Sequence, residues 1–353
     1  RLIDDIPKLI PPLRSKDCGL LTAIKGGAGD LHCGGRRVNL LRFSKQQSLV
    51  YKPRSLAVDI KFQELLDWFN QQLPDYHLSA PNTFDLDTHG WCEYIEPAPC
   101  RNHSEVSWFY RRMGAYLCIF HLLDATDLHH ENLIAAGAHP RFCDLETLFH
   151  PRLDNQGDST ADTPMNASLP SSVCNIFLLP GKIWHGQSDR GIDISGLGSS
   201  EDNRIEGYIL ANSNTDQMQL QKQEQVFKLK GHRPQFQNQE IQATEHLPEI
   251  LEGFTKAFHI CRKNKHQLLA ADGPILAFAN VETRCVLRPT QLYARLTETA
   301  FHPDYLRDAC TQDQLYDKLW LETTTRPYLQ HLIEHEQSDL RAGDIPLFKN
   351  KPS

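Results

Sequence analysis

An ordered series of polar residues carries the chemistry readable in this chain. Lys52 closes a β-prone run that follows a cluster of glycines, Gly26, Gly27, Gly29, Gly34 and Gly35. Asp127 and Asn132 stand five residues apart behind a long apolar segment, and Asp144 comes after them. A lysine supplies fixed positive charge for the α- and β-phosphates of a nucleotide, and a glycine turn lets backbone amides approach phosphate oxygens. An aspartate can accept the proton of an attacking hydroxyl, and Asn and Asp oxygens are ligands that magnesium accepts. Transfer of a phosphoryl group to an alcohol is the chemistry such a set performs. Taken singly, each residue has a structural reading: Lys52 as a solvated strand end, Asp127 and Asn132 as a chance spacing, Asp144 as a turn acid. The order is what carries information.

The elements that must position these residues can be read from periodicity. Residues Arg37 to Phe43 and Ser48 to Lys52 read as a hairpin around the turn Ser44 to Gln47, with Pro53 ending the second strand. Ser55 is expected to cap a helix whose Leu56, Ile60, Leu65, Leu66, Phe69 and Leu73 recur at helical spacing toward Pro74. A strand from Gly90 to Ile95 leads into Glu96-Pro97-Ala98-Pro99, the expected boundary between an N-terminal lobe (residues 1–97) and a C-terminal one (98–353). The next helix runs from about Ser104 to Leu123 with Phe109, Met113, Leu117, Phe120 and Leu123 in one stripe. Short strands at Leu133–Ala135 and Phe142–Glu146 bracket a turn. From Pro151 to about His246 the chain is polar, and loops with one or two strands and partial disorder are expected. A helix at Pro248–Leu269, a β-like run at Thr283–Leu287, and helices from Thr290 to the end complete the reading.

Composition narrows the function classes. At 353 residues, with 40% hydrophobic and 23% charged residues, the chain is an ordinary folded type, large enough for a bilobal domain. A formal charge of −7 argues against nucleic-acid partners, whose affinity rests on neutralising phosphates. The longest apolar stretch, Gly114 to Leu123, is half a bilayer span, so no membrane segment is expected. Ten scattered cysteines form no Cys-x-x-Cys pair, which fits reduced thiols in the cytoplasm rather than a disulfide or zinc scaffold. The chain starts at Arg1 without a targeting leader and reads as a fragment or processed piece.

The series glycine turn, lysine, helix, hinge, long helix, Asp-x-x-x-x-Asn, Asp resembles the order of parts in protein kinases. Three departures set it apart: no G-x-G-x-x-G precedes Lys52, Asp127-Leu128-His129-His130-Glu131-Asn132 replaces the kinase H-R-D loop, and Asp144-Leu145-Glu146 replaces D-F-G. With these departures, the chain resembles the dehydratase domain of the class II (LanM-type) lanthipeptide synthetases, whose catalytic region is similar to lipid kinases. The resemblance is carried by Gly29-Asp30-Leu31-His32 with Gly34-Gly35-Arg36, by Leu49 to Leu56, Gly90 to Ile95, and Tyr110 to Gly114. It continues through Ala125 to Leu133, Asp144 to Pro151, Ile194 to Gly198, Arg284 to Thr290 with Tyr293, and Gly343-Asp344-Ile345-Pro346. It spans nearly the whole chain.

That resemblance implies an α+β, bilobal protein/lipid-kinase-like fold with a small β-rich N-lobe and a larger helical C-lobe. It implies ATP-dependent phosphorylation of Ser and Thr in a ribosomal precursor peptide, then elimination of the phosphate to dehydroalanine or dehydrobutyrine. Lys52, Asp127, His129, Asn132, Asp144 and Glu146 match the phosphorylation centre, with Asn132 and Asp144 toward Mg2+. Gly29, Lys52 and the hinge Glu93, Tyr94 and Ile95 would face ATP. Asp30, His32, Arg284 and Thr290 match the elimination residues. Elimination wants a cation, a hydroxyl donor and an acid/base group in one pocket. Arg284 suits phosphate, and the two-residue offset puts Asp30 and His32 on one side of an extended segment. The base for the Cα proton stays unassigned, with Lys52 included. On their own residues, Asp30 could be a turn former, His32 a surface histidine, Arg284 and Arg288 a solvated strand face, and Thr290 a helix N-cap. The zinc cyclase half of the family is expected to be absent here, leaving ring closure to a further domain or partner. Competing readings are a kinase-like phosphotransferase without elimination and a non-catalytic peptide-binding module.

Overall fold

The computed structural model of the chain describes residues 2–9, 19–152, 172–182, 191–198, 204–226 and 229–352. Part of the stretch expected to be disordered, between residues 151 and 246, lies outside them.

The first third builds an antiparallel five-stranded sheet. Its strands are β1 (Leu21–His32), β2 (Arg36–Phe43), β3 (Ser48–Lys52), β4 (Thr83–Asp85) and β5 (Gly90–Glu93), in the order β1-β2-β3-β5-β4. Leu41, Phe43, Leu49 and Trp91 bury one face with Leu9 of the N-terminal segment. A short helix α1 (Leu2–Asp5) is pinned there, because buried Asp5 accepts bonds from His89 Nε2 (2.9 Å) and Trp91 Nε1 (3.0 Å). Helix α2 (Ala57–Gln72) follows β3 at once, so Lys52 and the first turn of α2 are neighbours. Its inner face carries Phe62, which stacks on Phe120 at 5.3 Å.

Phe120 belongs to α3 (His103–Leu122), capped by Asn102, whose side chain accepts from Glu105 N–H at 3.0 Å. Nearly every side of α3 is buried, which makes it the central rod of the main core. Helix α4 (Leu247–Lys263) crosses it at small residues: a methyl group on Gly114 or Gly253 would overlap the other helix's backbone. Behind α3 come the hairpin β6 (Leu133–Ala136) and β7 (His139–Phe142), then hairpins β8 (Arg204–Ala211)/β9 (Gln219–Val226) and β10 (Gln235–Phe236)/β11 (Gln239–Glu240).

After the one-turn helix α5 (Lys265–Leu268), β12 (Thr283–Cys285) leads into α6 (Thr290–Ala300), α7 (Ala309–Tyr316) and α8 (Ile333–Arg341). These pack a second core of Tyr293, Leu296, Leu315, Tyr316, Ile333 and Leu340. Buried Glu336 sits inside it, binding Arg288 Nε at 2.8 Å and Tyr293 Oη at 2.5 Å.

Several local expectations need correction. The chain does not stay helical to its end: β13 (Phe348–Asn350) pairs antiparallel with β12, aligning Arg284 with Lys349. Gly343 ends the helical run in a left-handed conformation (φ 81°), and Pro346 suits an extended continuation. Gly26, Gly27 and Gly29 do not form the turn. They lie inside β1, where the register shifts around them, and the turn itself is Cys33-Gly34-Gly35. The polar stretch before His246 holds four described strands rather than one or two. Leu56, not Ser55, is the N-cap of α2, though Ser55 Oγ accepts from Ala57 N–H at 3.2 Å. The strand expected to reach Glu146 stops at Phe142, leaving Asp144 on the loop beyond it. The helix expected over Pro248–Leu269 breaks at Asn264, whose amide group bonds back to Ile260 O.

Candidate functional site

A cavity of about 260 Å³ opens where the glycine-bearing hairpin faces the loops after α3 and β7. Lys52, Asp127, His129, Asn132, Asp144 and Glu146 line it together with Gly29, Asp30, His32, Arg284 and Thr290. Eleven of the residues singled out in the sequence therefore share one space, although the chain separates the outermost by over two hundred positions. The three hinge residues do not join them: Glu93, Tyr94 and Ile95 lie outside the cavity wall, and Glu93 holds Asn82 Nδ2 at 2.5 Å.

One wall is a ladder of alternating charge. Lys52, buried at the end of β3, donates to the Cys143 carbonyl and stands 3.8 Å from Asp59 and 4.0 Å from Asp144. Arg54, two residues on, reaches Asp59 (3.0 Å), Asp144 (2.8 Å) and Glu146 (3.3 Å). Arg284 reaches Glu146 at 2.5 Å, and its backbone N–H donates to Glu146 O at 2.6 Å. Burial alone would raise the Asp144 carboxyl; Lys52, Arg54 and Arg284 outweigh it and hold it down at about 2. Burial likewise works against the charge on Lys52, but Asp59 and Asp144 overcome it and raise the ammonium.

Asp127 faces this ladder from a strained position. Its φ is +62°, a left-handed conformation that Asp tolerates better than most residues. The flanks hold it there: Thr126 N–H donates to Thr147 O (3.3 Å), Leu128 N–H to Ile176 O (3.0 Å), and Asn132 Nδ2 to Asp127 O (2.8 Å). Burial pushes the Asp127 carboxyl up, against the pull of His129 and Arg284. A carboxylate with raised proton affinity is the better proton acceptor. His129 Nδ1 accepts from Glu131 N–H at 3.3 Å, so in the neutral ring the proton sits on Nε2.

The opposite wall comes from the hairpin and the C-terminal third. Asp30 and His32 both border the cavity, as their offset implied, with Arg36 and Arg37 beside them. Thr290 is the first residue of α6 rather than its N-cap, which is Pro289. Arg288 is not on a solvated face. It is 2% exposed, and with Tyr293 it ties both flanks of Thr290 to Glu336. The turn glycines differ from expectation: Gly34 N–H (2.5 Å) and Gly35 N–H (2.8 Å) donate to the buried Asp344 carboxylate, so these amides are already committed. Beside them, His32 Nδ1 lies 2.6 Å from the Ile345 carbonyl, and Ile345 N–H donates to Leu31 O at 2.7 Å.

The donor set suits magnesium. Asp144 is held ionised, and Asn132 gives its amide nitrogen to Asp127 O, which leaves its oxygen as the atom that could face a cation. Among the described residues no group of three His, Cys, Asp or Glu side chains is placed to hold a metal alone. Magnesium held by one or two protein oxygens, phosphates and water needs none.

Reading the sequence missed Arg54, Asp59 and Asp344. Each lay in plain view, Arg54 in Lys52-Pro53-Arg54, Asp59 in the first turn after it, and Asp344 in Gly343-Asp344-Ile345-Pro346. Asp144 and Glu146 lie about ninety positions from Arg54, and Gly34 and Gly35 about three hundred from Asp344, so spacing gave no signal there; the Arg54–Asp59 pair is only five positions apart and was readable in principle.

Comparison with known proteins agrees with the motifs. The chain is 28% identical over 333 residues to the lacticin 481/lactococcin biosynthesis protein LcnDR2 of Lactococcus lactis subsp. lactis. The match takes in 91% of this chain and 35% of that protein, so the chain spans about a third of the relative's length. It bears out the resemblance to the class II lanthipeptide synthetases. No described helix is long and apolar enough to cross a membrane. Residues 1–351 match a single family, and the chain belongs to it: the family described as Domain of unknown function (DUF4135).

Proposed function

We propose that this chain dehydrates Ser and Thr residues of a ribosomal precursor peptide, in two steps, within the cleft that Lys52, Asp127, Asp144, His32, Arg284 and Thr290 border together. The single observation carrying this reading is that the phosphate-handling set and the elimination set line one cavity. The relative's role in lantibiotic biosynthesis supports the substrate class. On this reading the fold is the kinase-like bilobal type, with the five-stranded sheet as the smaller lobe.

In the first step Asp127 takes the proton of a seryl or threonyl hydroxyl. That oxygen forms a bond to the γ-phosphorus of ATP as the bond to ADP breaks. Lys52 steadies the other phosphates. Asp144 and Asn132 would hold Mg2+, which supplies charge neutralisation as the phosphates separate. Arg54 keeps Asp144 ionised and Asp59 fixed. In the second step the Cα proton passes to a base in the cleft, its bonding pair becomes the Cα–Cβ double bond, and the Cβ–O bond breaks. The phosphate leaves with that pair toward Arg284, with Thr290 as a further donor. Ring closure falls to a zinc cyclase outside these steps.

The test is incubation with ATP, Mg2+ and a Ser- and Thr-containing ribosomal precursor peptide, read by mass spectrometry. Loss of one water per modified residue is the expected result. Lys52→Ala and Asp144→Ala should leave the peptide unmodified, whereas Arg284→Ala and Thr290→Ala should leave it phosphorylated. A wild-type product that gains phosphate and never loses water would leave a phosphotransferase alone, and unmodified peptide with Arg284→Ala would refute the division of roles.

A further inference from the structure

The Cys33-Gly34-Gly35 turn has the form of an anion nest. Gly34 (φ 84°) and Gly35 (φ 74°) are both left-handed, and their consecutive amides converge. The occupant is the protein's own Asp344, 4% exposed, delivered from more than three hundred residues away in sequence. The same segment makes two further bonds to the end of β1. Ile345 N–H donates to Leu31 O, and Ile345 O faces His32 Nδ1 at 2.6 Å. A carbonyl can only accept, so Nδ1 must carry the proton. In the neutral ring Nε2 is then the lone-pair nitrogen, on a side chain that borders the cavity.

We infer that Asp344 is a positioning residue for the elimination half of the reaction: by filling the Gly34-Gly35 nest it docks Ile345 against β1, which fixes His32 as the Nδ1–H tautomer with Nε2 available as the proton-handling atom. The inference rests on the proposed dehydratase reading and adds to it a residue that touches neither peptide nor nucleotide. The charged ladder does not depend on this latch, because Lys52 and Arg54 are held by Asp59, Cys143 and Glu146, and Asp144 by Lys52 and Arg54. Hence loss of Asp344 should separate the two steps. A structural defect would slow both.

The experiment uses the whole chain with ATP, Mg2+ and a Ser- and Thr-containing ribosomal precursor peptide that the wild type dehydrates. With Asp344→Ala, elimination should fall about 10- to 100-fold and phosphopeptide should accumulate, while phosphorylation stays within about threefold, the scale expected for a misplaced proton-handling group. Asp344→Asn, which keeps an acceptor for one amide, should fall between. An unchanged ratio of phosphorylated to dehydrated residues in Asp344→Ala, or a parallel fall in both steps, overturns the inference. A wild-type chain that modifies no peptide overturns the dehydratase reading instead. Should Asp344→Ala fail to fold, imidazole nitrogen NMR of the wild type decides, with His32 assigned by its loss in His32→Gln. A protonated Nδ1 supports the latch, and a bare Nδ1 refutes it.

Discussion

Replacing Arg54 tests the charge ladder at its most connected point. The guanidinium meets three carboxylates, at 3.0 Å (Asp59), 2.8 Å (Asp144) and 3.3 Å (Glu146). After Arg54→Ala, Glu146 keeps Arg284, but the nearest cation left to Asp59 and Asp144 is Lys52, at 3.8 and 4.0 Å, with Arg284 acting on Asp144 from further off. Stranding a buried charge costs about 3–5 kcal/mol. The Asp59 side chain is 8% exposed, whereas the Asp144 side chain is 36% open to the cleft and screened by water, so the lower end, about 3 kcal/mol, is expected. Arg54→Lys keeps the charge but not the fork, and should recover no more than about half of the loss. Urea denaturation gives the stability, and mass spectrometry of the precursor gives phosphorylation, which should fall by about 100-fold as Asp144 loses its fixed geometry. An Arg54→Ala protein within about 1 kcal/mol of wild type that phosphorylates normally would show that the ladder is surface decoration.

Other consequences are open to measurement. Gly114→Ala should destabilise by about 1–3 kcal/mol in denaturant melts, although alanine is intrinsically better in a helix by about 1 kcal/mol, because its methyl meets the backbone of α4. Burial, aided by Arg112 and Arg141, depresses His139 to about 4, so the unfolded chain takes up a proton that the folded one excludes. The stability this confers is complete above pH 6.5 and lost as pH falls toward 4. Melting temperatures across that range should drop in wild type and drop less in His139→Gln. Asp5, by contrast, is held below its usual value because bonds from His89 and Trp91 outweigh the effect of burial. Its contribution is present above pH 3.8 and lost below, and Asp5→Asn should lower the unfolding free energy from urea denaturation at neutral pH by about 1–3 kcal/mol.

Much of the cleft was legible because its residues follow local rules. Lys52 ends a strand that Pro53 must end, and Asp127 to Asn132 follow a helix whose apolar pattern is unmistakable. The hairpin bounds at β2 and β3 came within a residue for the same reason: alternation and turn residues are read locally. What stayed hidden depends on remote partners. Nothing near Arg288 marks it as buried, since Glu336 lies 48 positions on. Gly26 to Gly29 looked like a turn because glycine reports only backbone freedom, and a bulged strand uses that freedom equally well. The strand at Phe348–Asn350 is too short for its own periodicity, and it exists because β12 offers an edge.

The bond between His32 and Ile345 joins residues 313 positions apart. A ribosome therefore finishes the sheet and the long helix well before Phe348–Asn350 emerges to zip against Arg284. The His32 wall of the cleft thus closes only after the sheet and α3 have had time to form. A nascent chain that has not yet reached Asp344 and Ile345 would retain the charged ladder and still want one wall of the cleft.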